Sequence, residues 1–428
     1  MSRIVSATCF AMLLLLMLQG CPILDPGIPG GEERVVYVDA DSGSDADGDG
    51  TAIQPWKSAS HALLQVAPHA SAAGPFTVIL APGVYAEKLV LHRYVTLTGS
   101  DAENPEAIRI EPGVGATEGN LQAGDAVVTA VVGLAGENVL RNITIALPTG
   151  APDGVALLSV PGATINVENV IFDGNGAAES IAVKIASPDS SASTFERCHF
   201  RGVHHGVLAS NSAASFGRNK FEDISGAAVL APPPDAKQLG SFLYPSLGSI
   251  ESCSSASRNI FFTNTINPPS SSSPEAGPVI DTGEATDEAP ELLAQGNTWI
   301  GDEFQGALAE GDYDAASRQV GERVSENVRT DAPSFEADSD GKNLIPITIV
   351  CSVRNALTDE VIPNALVSIG VGPDSTTEED GLAVFTVASP GLFTFTTSAE
   401  GFATAIDCAV ISANELIASV ELLLTPSR

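Results

Sequence analysis

Between residues 34 and 335 a short pattern of apolar and polar positions keeps returning. A turn residue leads into an apolar run in Gly154-Val155-Ala156-Leu157-Leu158, Ser180-Ile181-Ala182-Val183, Gly206-Val207-Leu208 and Gly226-Ala227-Ala228-Val229-Leu230. A second run ends on an aromatic followed by a small or polar turn. It reads Asn169-Val170-Ile171-Phe172-Asp173-Gly174, then Arg197-Cys198-His199-Phe200-Arg201-Gly202 and Arg218-Asn219-Lys220-Phe221-Glu222-Asp223. It returns as Asn259-Ile260-Phe261-Phe262-Thr263-Asn264 and Gly296-Asn297-Thr298-Trp299-Ile300-Gly301. None of these runs keeps a helical period, so they predict short strands. The aromatics at 172, 200, 221, 262 and 299 lie 28, 21, 41 and 37 residues apart. Reading each long step as two coils gives coils of roughly 20 residues with variable loops, the mark of a β-solenoid. Asp312 to Val328 is a polar, helix-like interruption, after which Val328 to Pro333 finishes the last coil.

The pattern changes after an acidic linker, 336–343. From 344 to 428 alternating runs are broken by turns every 8–12 residues, which predicts a β-sandwich. The expected fold class is therefore all-β, a long solenoid followed by a small sandwich.

Composition narrows the function. The chain has 428 residues, 20 Lys plus Arg and 53 Asp plus Glu, for a formal net charge of −33. A polyanion of this size is no partner for nucleic acid, whose phosphates demand Lys and Arg. Apolar residues at 44% exclude wholesale disorder. Nothing in the sequence sets the oligomeric state.

Residues 1–20 read as a cleaved export signal. Arg3 is their only charge, and the apolar run from Cys9 to Leu18 is too short to span a bilayer. The run ends Leu18-Gln19-Gly20-Cys21, which resembles a bacterial lipoprotein signal; an ordinary secretory signal with a chance Cys is the alternative. The resemblance implies a lipidated Cys21, a membrane anchor and a Pro/Gly-rich tether over 21–33. Pro22 after the Cys points to the bacterial cell envelope's outer membrane. Four cysteines then remain. Cys351 and Cys408 share the C-terminal segment and are the expected disulfide, worth about 4 kcal/mol on the chain-entropy account. A Cys198–Cys253 pair is less expected, because the two hold different places in their coils.

The opening of the repeat carries a family resemblance. Tyr37-Val38-Asp39, Gly43-Ser44-Asp45, Gly48-Asp49-Gly50, Pro55-Trp56-Lys57-Ser58 and Ala62-Leu63 precede Val78-Ile79-Leu80-Ala81-Pro82-Gly83-Val84-Tyr85. This resembles the first coils of right-handed parallel β-helix, pectin-lyase-like proteins. The likeness implies a short helix covering the open end of the solenoid and a first coil closed by the Pro-Gly-Val-Tyr segment. The C-terminal run Thr358-Asp359-Glu360-Val361-Ile362-Pro363-Asn364-Ala365, with Asp380-Gly381, Phe393-Thr394-Phe395 and Ala399-Glu400-Gly401-Phe402, resembles the carboxypeptidase-regulatory-like (transthyretin-like) Ig-type domain. Such domains are spacers or binding modules.

Candidate chemistry is sparse. Alternate residues on a strand share a face, so Arg197, His199 and Arg201 share one. Aligned aromatics then stack Arg218 and Lys220 on the next coil, about 4.8 Å away. Asp173 faces Arg201 from the preceding coil, and Glu222 follows. A basic patch on an acidic chain could bind uronates or sulfates, with Arg taking a carboxylate in two hydrogen bonds and His199 moving a proton. The alternative is a solvated face of paired charges. Glu196 breaks the scheme, since the same alternation would turn it inward beside Cys198. His204-His205 reads as a polar loop rather than a metal pair. Asp45, Asp47 and Asp49 open like a calcium loop but lack its twelfth acidic ligand, where Trp56 stands. Structural calcium is the one cofactor considered; an Asp/Gly turn is the alternative.

Two functions follow as expectations. The first is a non-catalytic surface or periplasmic protein that binds a cell-surface glycan or another partner. The second is a polysaccharide lyase, hydrolase or epimerase acting on acidic glycans at the outer face of the solenoid.

Overall fold

The computed structural model describes residues 34–113, 125–131, 138–149, 154–186, 193–232, 245–247, 259–263, 266, 268, 276–282, 292–295, 297–304, 307, 313–326, 328–330, 333–335, 347–369, 373–387, 391–411 and 417–427. The signal, Cys21, the tether, the linker and Cys253 lie outside the described residues.

The architecture is all-β. Two large parallel sheets form a solenoid-like body, and smaller mixed sheets follow it. The chain alternates between the two large sheets. Ile165–Asp173 lies in the first and Ile181–Ala186 in the second; His199–Arg201 returns to the first and His205–Ser210 to the second. Each pass adds one parallel strand to each sheet, so equivalent residues stack in columns.

The deepest column of the first sheet is aromatic. Ile145, Phe172, Phe200, Phe221, Phe261, Trp299 and Phe335 pair in register across successive strands. Adjacent rings from Phe172 to Trp299 stack at 5.1, 4.6, 4.9 and 4.9 Å. The spacing of strands sets these distances, so each ring stacks on the next. Here the expected alignment is corrected. The stacked residue is Phe261, not Phe262, and Phe221 pairs directly with Phe261, as Phe261 does with Trp299. The long steps are therefore single coils of the first sheet. The small turn after the aromatic also has a reason: a Cβ on Gly174 would lie 2.2 Å from the Gly202 carbonyl oxygen of the next coil.

Two positions before the aromatics runs a second column, Cys198, Asn219, Asn259 and Asn297. Asn219 Nδ2 donates to Asn259 Oδ1 at 3.0 Å, and Asn259 Nδ2 donates to Asn297 Oδ1 at 3.0 Å. Asn219 Oδ1 accepts the Cys198 N–H at 2.8 Å. All three amides are fully buried. Each amide is satisfied by its neighbours and by carbonyls such as those of Phe195 and Phe216, which is the condition for placing them inside.

The first coil is covered by the helix Ala59–Val66, which turns Ala59, Ala62, Leu63 and Val66 inward. Glu87 accepts the N–H groups of Ala59 and Ser60 at 2.7 and 2.9 Å and so caps the helix. Tyr85 Oη donates within the same end, 2.8 Å from the Ala81 carbonyl. A second helix, Tyr313–Glu322, falls inside the polar stretch expected to be helical. Among the described residues no helix is long and apolar enough to cross a membrane.

The C-terminal part is sandwich-like. Ile347–Asn355 pairs antiparallel with Leu382–Val387 and parallel with Ile417–Leu424. Leu366–Ser368, Ser375–Thr376, Gly391–Ser398 and Ala405–Ile411 form an antiparallel sheet. A separate core holds Ile349, Cys351, Val353, Phe385, Phe395 and Leu422. The expected Cys351–Cys408 disulfide is not formed. Cys351 is a free, buried thiol on the inward face of its strand. Ala405 and Ala409 pack against the core, so strand alternation puts Cys408 on the opposite face of its sheet. Cys408 is disulfide-bonded, but its partner lies outside the described residues. Cys198 is also free, so it does not pair with Cys253.

Candidate functional site

A left-handed residue recurs at the same place in four coils of the first sheet and splits two of them, at 197 and 218, into separate strand pieces. Asn142, Asn169, Arg197 and Arg218 occupy it, with φ of 57, 53, 55 and 57°. This resolves the conflict at Glu196. Thr194–Glu196 and His199–Arg201 are separate strands, so Glu196 faces out while Cys198 and Phe200 face in. It also corrects the expected patch. Arg197 and Arg218 sit in the turn, not on the strand face of His199, Arg201 and Lys220.

The expected register holds for the rest. Asp173, Arg201 and Glu222 are consecutive neighbours in one outward column, and His199 pairs with Lys220 in another. The charges are not a bare basic patch, however. Asp173 Oδ2 accepts from Arg109 Nη1 and Arg201 Nη2, both at 3.2 Å, and its Oδ1 accepts the Asn175 N–H at 3.0 Å. Arg201 Nη1 is 2.9 Å from Glu106 Oε1, and Arg109 Nε is 2.5 Å from Glu111 Oε2. Glu222 bridges Lys220 Nζ and His199 Nε2, each at 2.6 Å. The imidazole contact is short but poorly aligned, and Nε2 makes no proper hydrogen bond. Arg197 Nη2 contacts Glu168 Oε1. Four cations thus meet five carboxylates, and the face is close to neutral. Arg218 is exposed and has no ion pair among the described residues.

Protonation follows from these contacts. Burial alone would raise the pKa of Asp173, but the Asn175 N–H and the Arg109 and Arg201 guanidinium groups hold it below the usual carboxylate range. Burial likewise opposes ionisation of Glu222, and Lys220 with His199 overcomes it. His199 is pushed down by burial, and Lys220 and Arg201 add to this; Glu222 pulls it back only in part. At neutral pH the face holds two ionised carboxylates and a neutral imidazole.

Beside this network a cleft of about 370 Å³ is lined by Ala102, Arg141, Asn142, Glu168, Asn169 and Arg197. Asn169 Nδ2 donates to Asn142 Oδ1 at 2.9 Å and to the Ala102 carbonyl at 2.8 Å, which sets both amides. Asn142, Asn169, Arg141, Glu168 and Arg109 were not among the expected site residues. For Asn169 a signal was present, since it opens its repeated motif at the same place as Arg197 and Arg218.

The three aspartates of the calcium reading are engaged in their own turns. Asp45 Oδ1 accepts the N–H groups of Lys57 and Ser58 at 2.8 and 3.0 Å, and its Oδ2 accepts the Ser58 hydroxyl. Asp47 contacts the Ser44 hydroxyl, and Asp49 accepts the Thr51 N–H. Each carboxylate organises its own turn. Among the described residues no group of three or more His, Cys, Asp or Glu is gathered for a metal ion. The rings of His204 and His205 lie 4.2 Å apart. Both are engaged locally: His204 Nδ1 is 2.9 Å from Ser225 Oγ, and His205 Nδ1 accepts the Ala227 N–H at 3.1 Å.

Against known proteins, no family profile matches the chain and no curated protein matches it. Among solved structures, a pectin methylesterase in complex with a hexasaccharide is similar, with a TM-score of 0.36 and 14% identity. The match covers 63% of this chain and 81% of that one. So loose a likeness says nothing of activity; the parallel stacking rests on the strand register itself.

Proposed function

We propose that this is an exported, lipid-anchored envelope protein that binds glycan on the outer face of its first sheet. In this reading residues 1–20 direct export, Cys21 carries lipid at the outer membrane, and 21–33 form the tether. Residues 34–335 form a closed, right-handed parallel β-helix. A linker, 336–343, joins it to an Ig-type sandwich of the carboxypeptidase-regulatory-like kind, 344–428.

The cleft carries the glycan reading. It sets two amides, two guanidinium groups and a carboxylate side by side. These planar groups offer paired donors and acceptors, which suits neighbouring sugar hydroxyls and carboxylates.

One observation favours a catalytic version. His199 is a neutral imidazole among Lys220, Arg201 and Glu222, which suits proton abstraction beside a cation-held carboxylate, as in a lyase or epimerase. Hydrolysis fits less well. It needs one protonated carboxyl group, and Asp173 and Glu222 are both held ionised.

The test uses the full chain purified in detergent, with polygalacturonate, alginate and chondroitin sulfate. Binding without turnover is the expected result for a binding protein. Formation of unsaturated or epimerised sugar that His199→Gln abolishes would establish the catalytic version. No binding to any glycan would overturn both.

A further inference from the structure

The left-handed turn places four residues at equivalent points of consecutive coils, one strand spacing of about 4.8 Å apart. The first two are asparagines. Asn tolerates this backbone conformation better than any other residue except glycine, because its short amide bonds locally. Asn142 and Asn169 turn their amides to other coils, to Thr98 Oγ1 at 3.3 Å, the Ala102 carbonyl and each other. The next two are arginines. A guanidinium on a long stem offers the turn no such bond, and both side chains project outward. Arg197 reaches Glu168; Arg218 has no ion pair or hydrogen bond among the described residues. The Arg197 N–H donates to the Gly217 carbonyl at 3.1 Å, which fixes the two turns side by side.

Folding would therefore be better served by Asn or Gly at 197 and 218. Residues kept in a conformation that disfavours them concentrate at functional sites. Charge points the same way. On a chain of net charge −33, an anionic ligand can approach only where cations stand clear of their acids. Arg201, Arg109 and Lys220 are tied to carboxylates and Arg197 gives one Nη to Glu168, whereas Arg218 meets no carboxylate among the described residues.

We infer that Arg197 and Arg218 form a two-guanidinium step at the end of the cleft that binds an oxyanion, the carboxylate or sulfate group of an acidic glycan. This rests on the glycan-binding reading and names its ligand class. It also moves the contact from the strand residues His199, Arg201 and Lys220 to the turn row. Paired guanidinium groups suit a planar carboxylate or a sulfate, each taking two N–H donors.

The test is affinity electrophoresis and calorimetry of the full chain in detergent, with polygalacturonate, dextran sulfate and neutral dextran. Arg218→Asn should weaken binding of the charged polymers by about tenfold, the worth of one charge-assisted hydrogen bond. The double variant Arg197→Asn/Arg218→Asn should abolish it. Relief of backbone strain should raise the melting temperature of Arg218→Asn by about 2 °C. Arg354→Gln, which removes a positive charge on the sandwich, should leave binding of the charged polymers unchanged. Polygalacturonate alone bound would identify the anion as carboxylate, and both polymers bound would make it any oxyanion. Charged-polymer binding that Arg218→Asn leaves intact would overturn the step and leave the glycan reading standing. Weaker binding with a lower melting temperature would make Arg218 structural and also overturn it. Wild-type protein that binds neutral dextran alone would overturn the anion step, and protein that binds no polymer would remove the glycan reading with it.

Discussion

The two faces of the first sheet are made by the same strands and obey opposite rules. Inside, like stacks on like: Phe on Phe, Asn on Asn. Outside, unlike alternates with unlike: Asp173, Arg201 and Glu222 run down one column. Both follow from one spacing. At about 4.8 Å, identical rings and amides meet at contact and hydrogen-bond distance, so repetition is favourable. Identical charges at that distance repel, so the column Asp173, Arg201, Glu222 gains by alternating, whereas the Glu168–Glu196 pair and the Arg197–Arg218 row do not alternate. The inner columns need all their members because each satisfies the next. The outer network sits partly in water, where pairing is worth much less.

The largest effects should therefore come from the inner face. Phe221→Ala removes a ring stacked between Phe200 and Phe261 at 4.6 and 4.9 Å. We expect a loss of about 4 kcal/mol, since a rigid stack cannot collapse into the void. Asn259→Ala should follow, at about 3 kcal/mol, because it strips hydrogen bonds from Asn219, Asn297 and the Phe216 and Leu247 carbonyls. Denaturant unfolding measures both. A cost below about 1 kcal/mol for either would mean that the columns are not what holds the coils in register.

These columns also show what was legible in the sequence. Strand runs and the change of pattern after 344 could be read from spacing, because apolar periodicity reports burial directly; the covering helix near Trp56 was implied by the family resemblance alone. The Asp173–Arg201–Glu222 register could be read too, because the aromatic marks a fixed point on each strand. The asparagine column could not, although Asn219, Asn259 and Asn297 each stand two residues before a stacked aromatic. A polar residue in a strand reads as outward-facing until its neighbours in the next coil are known. The patch was misread at Arg197 for a related reason. Strand alternation was carried through a left-handed residue, which resets it. Arg109 joins Asp173 from 64 residues away, a contact that only the coil geometry creates. The Cys351–Cys408 pairing failed because proximity in sequence says nothing about which face of a sandwich a thiol occupies.

The outer face should respond to pH where the inner face does not. The pKa of His199 is lowered by burial, with Lys220 and Arg201 adding to it. The unfolded chain therefore binds more protons just below the ordinary histidine value of about 6.5. Stability should then fall as pH drops from 7 through that value and level off below the folded pKa. His205 and His92 are shifted the same way by burial. Asp173 and Glu222 are lowered carboxylates. Their contribution is present above about pH 4 and is lost as pH falls further. Denaturant midpoints measured between pH 7 and 3 should decline in these two stages. His199→Gln should flatten the first stage and leave the second. An unchanged first stage would assign it to His92 and His205 instead.

The smallest effect should be the Lys220–Glu222 pair. Their atoms are 2.6 Å apart, but Lys220 is 38% exposed, so water competes for both charges. A double-mutant cycle with Lys220→Gln and Glu222→Gln should give a coupling of less than about 1 kcal/mol. Glu222 also faces His199, so the cycle should depend on pH and shrink or grow as the imidazole titrates. A coupling above about 2 kcal/mol would put the pair on the same footing as the buried amides. The contrast between an inner face that holds the coils and an outer face free to meet a ligand would then fail at its most exposed point.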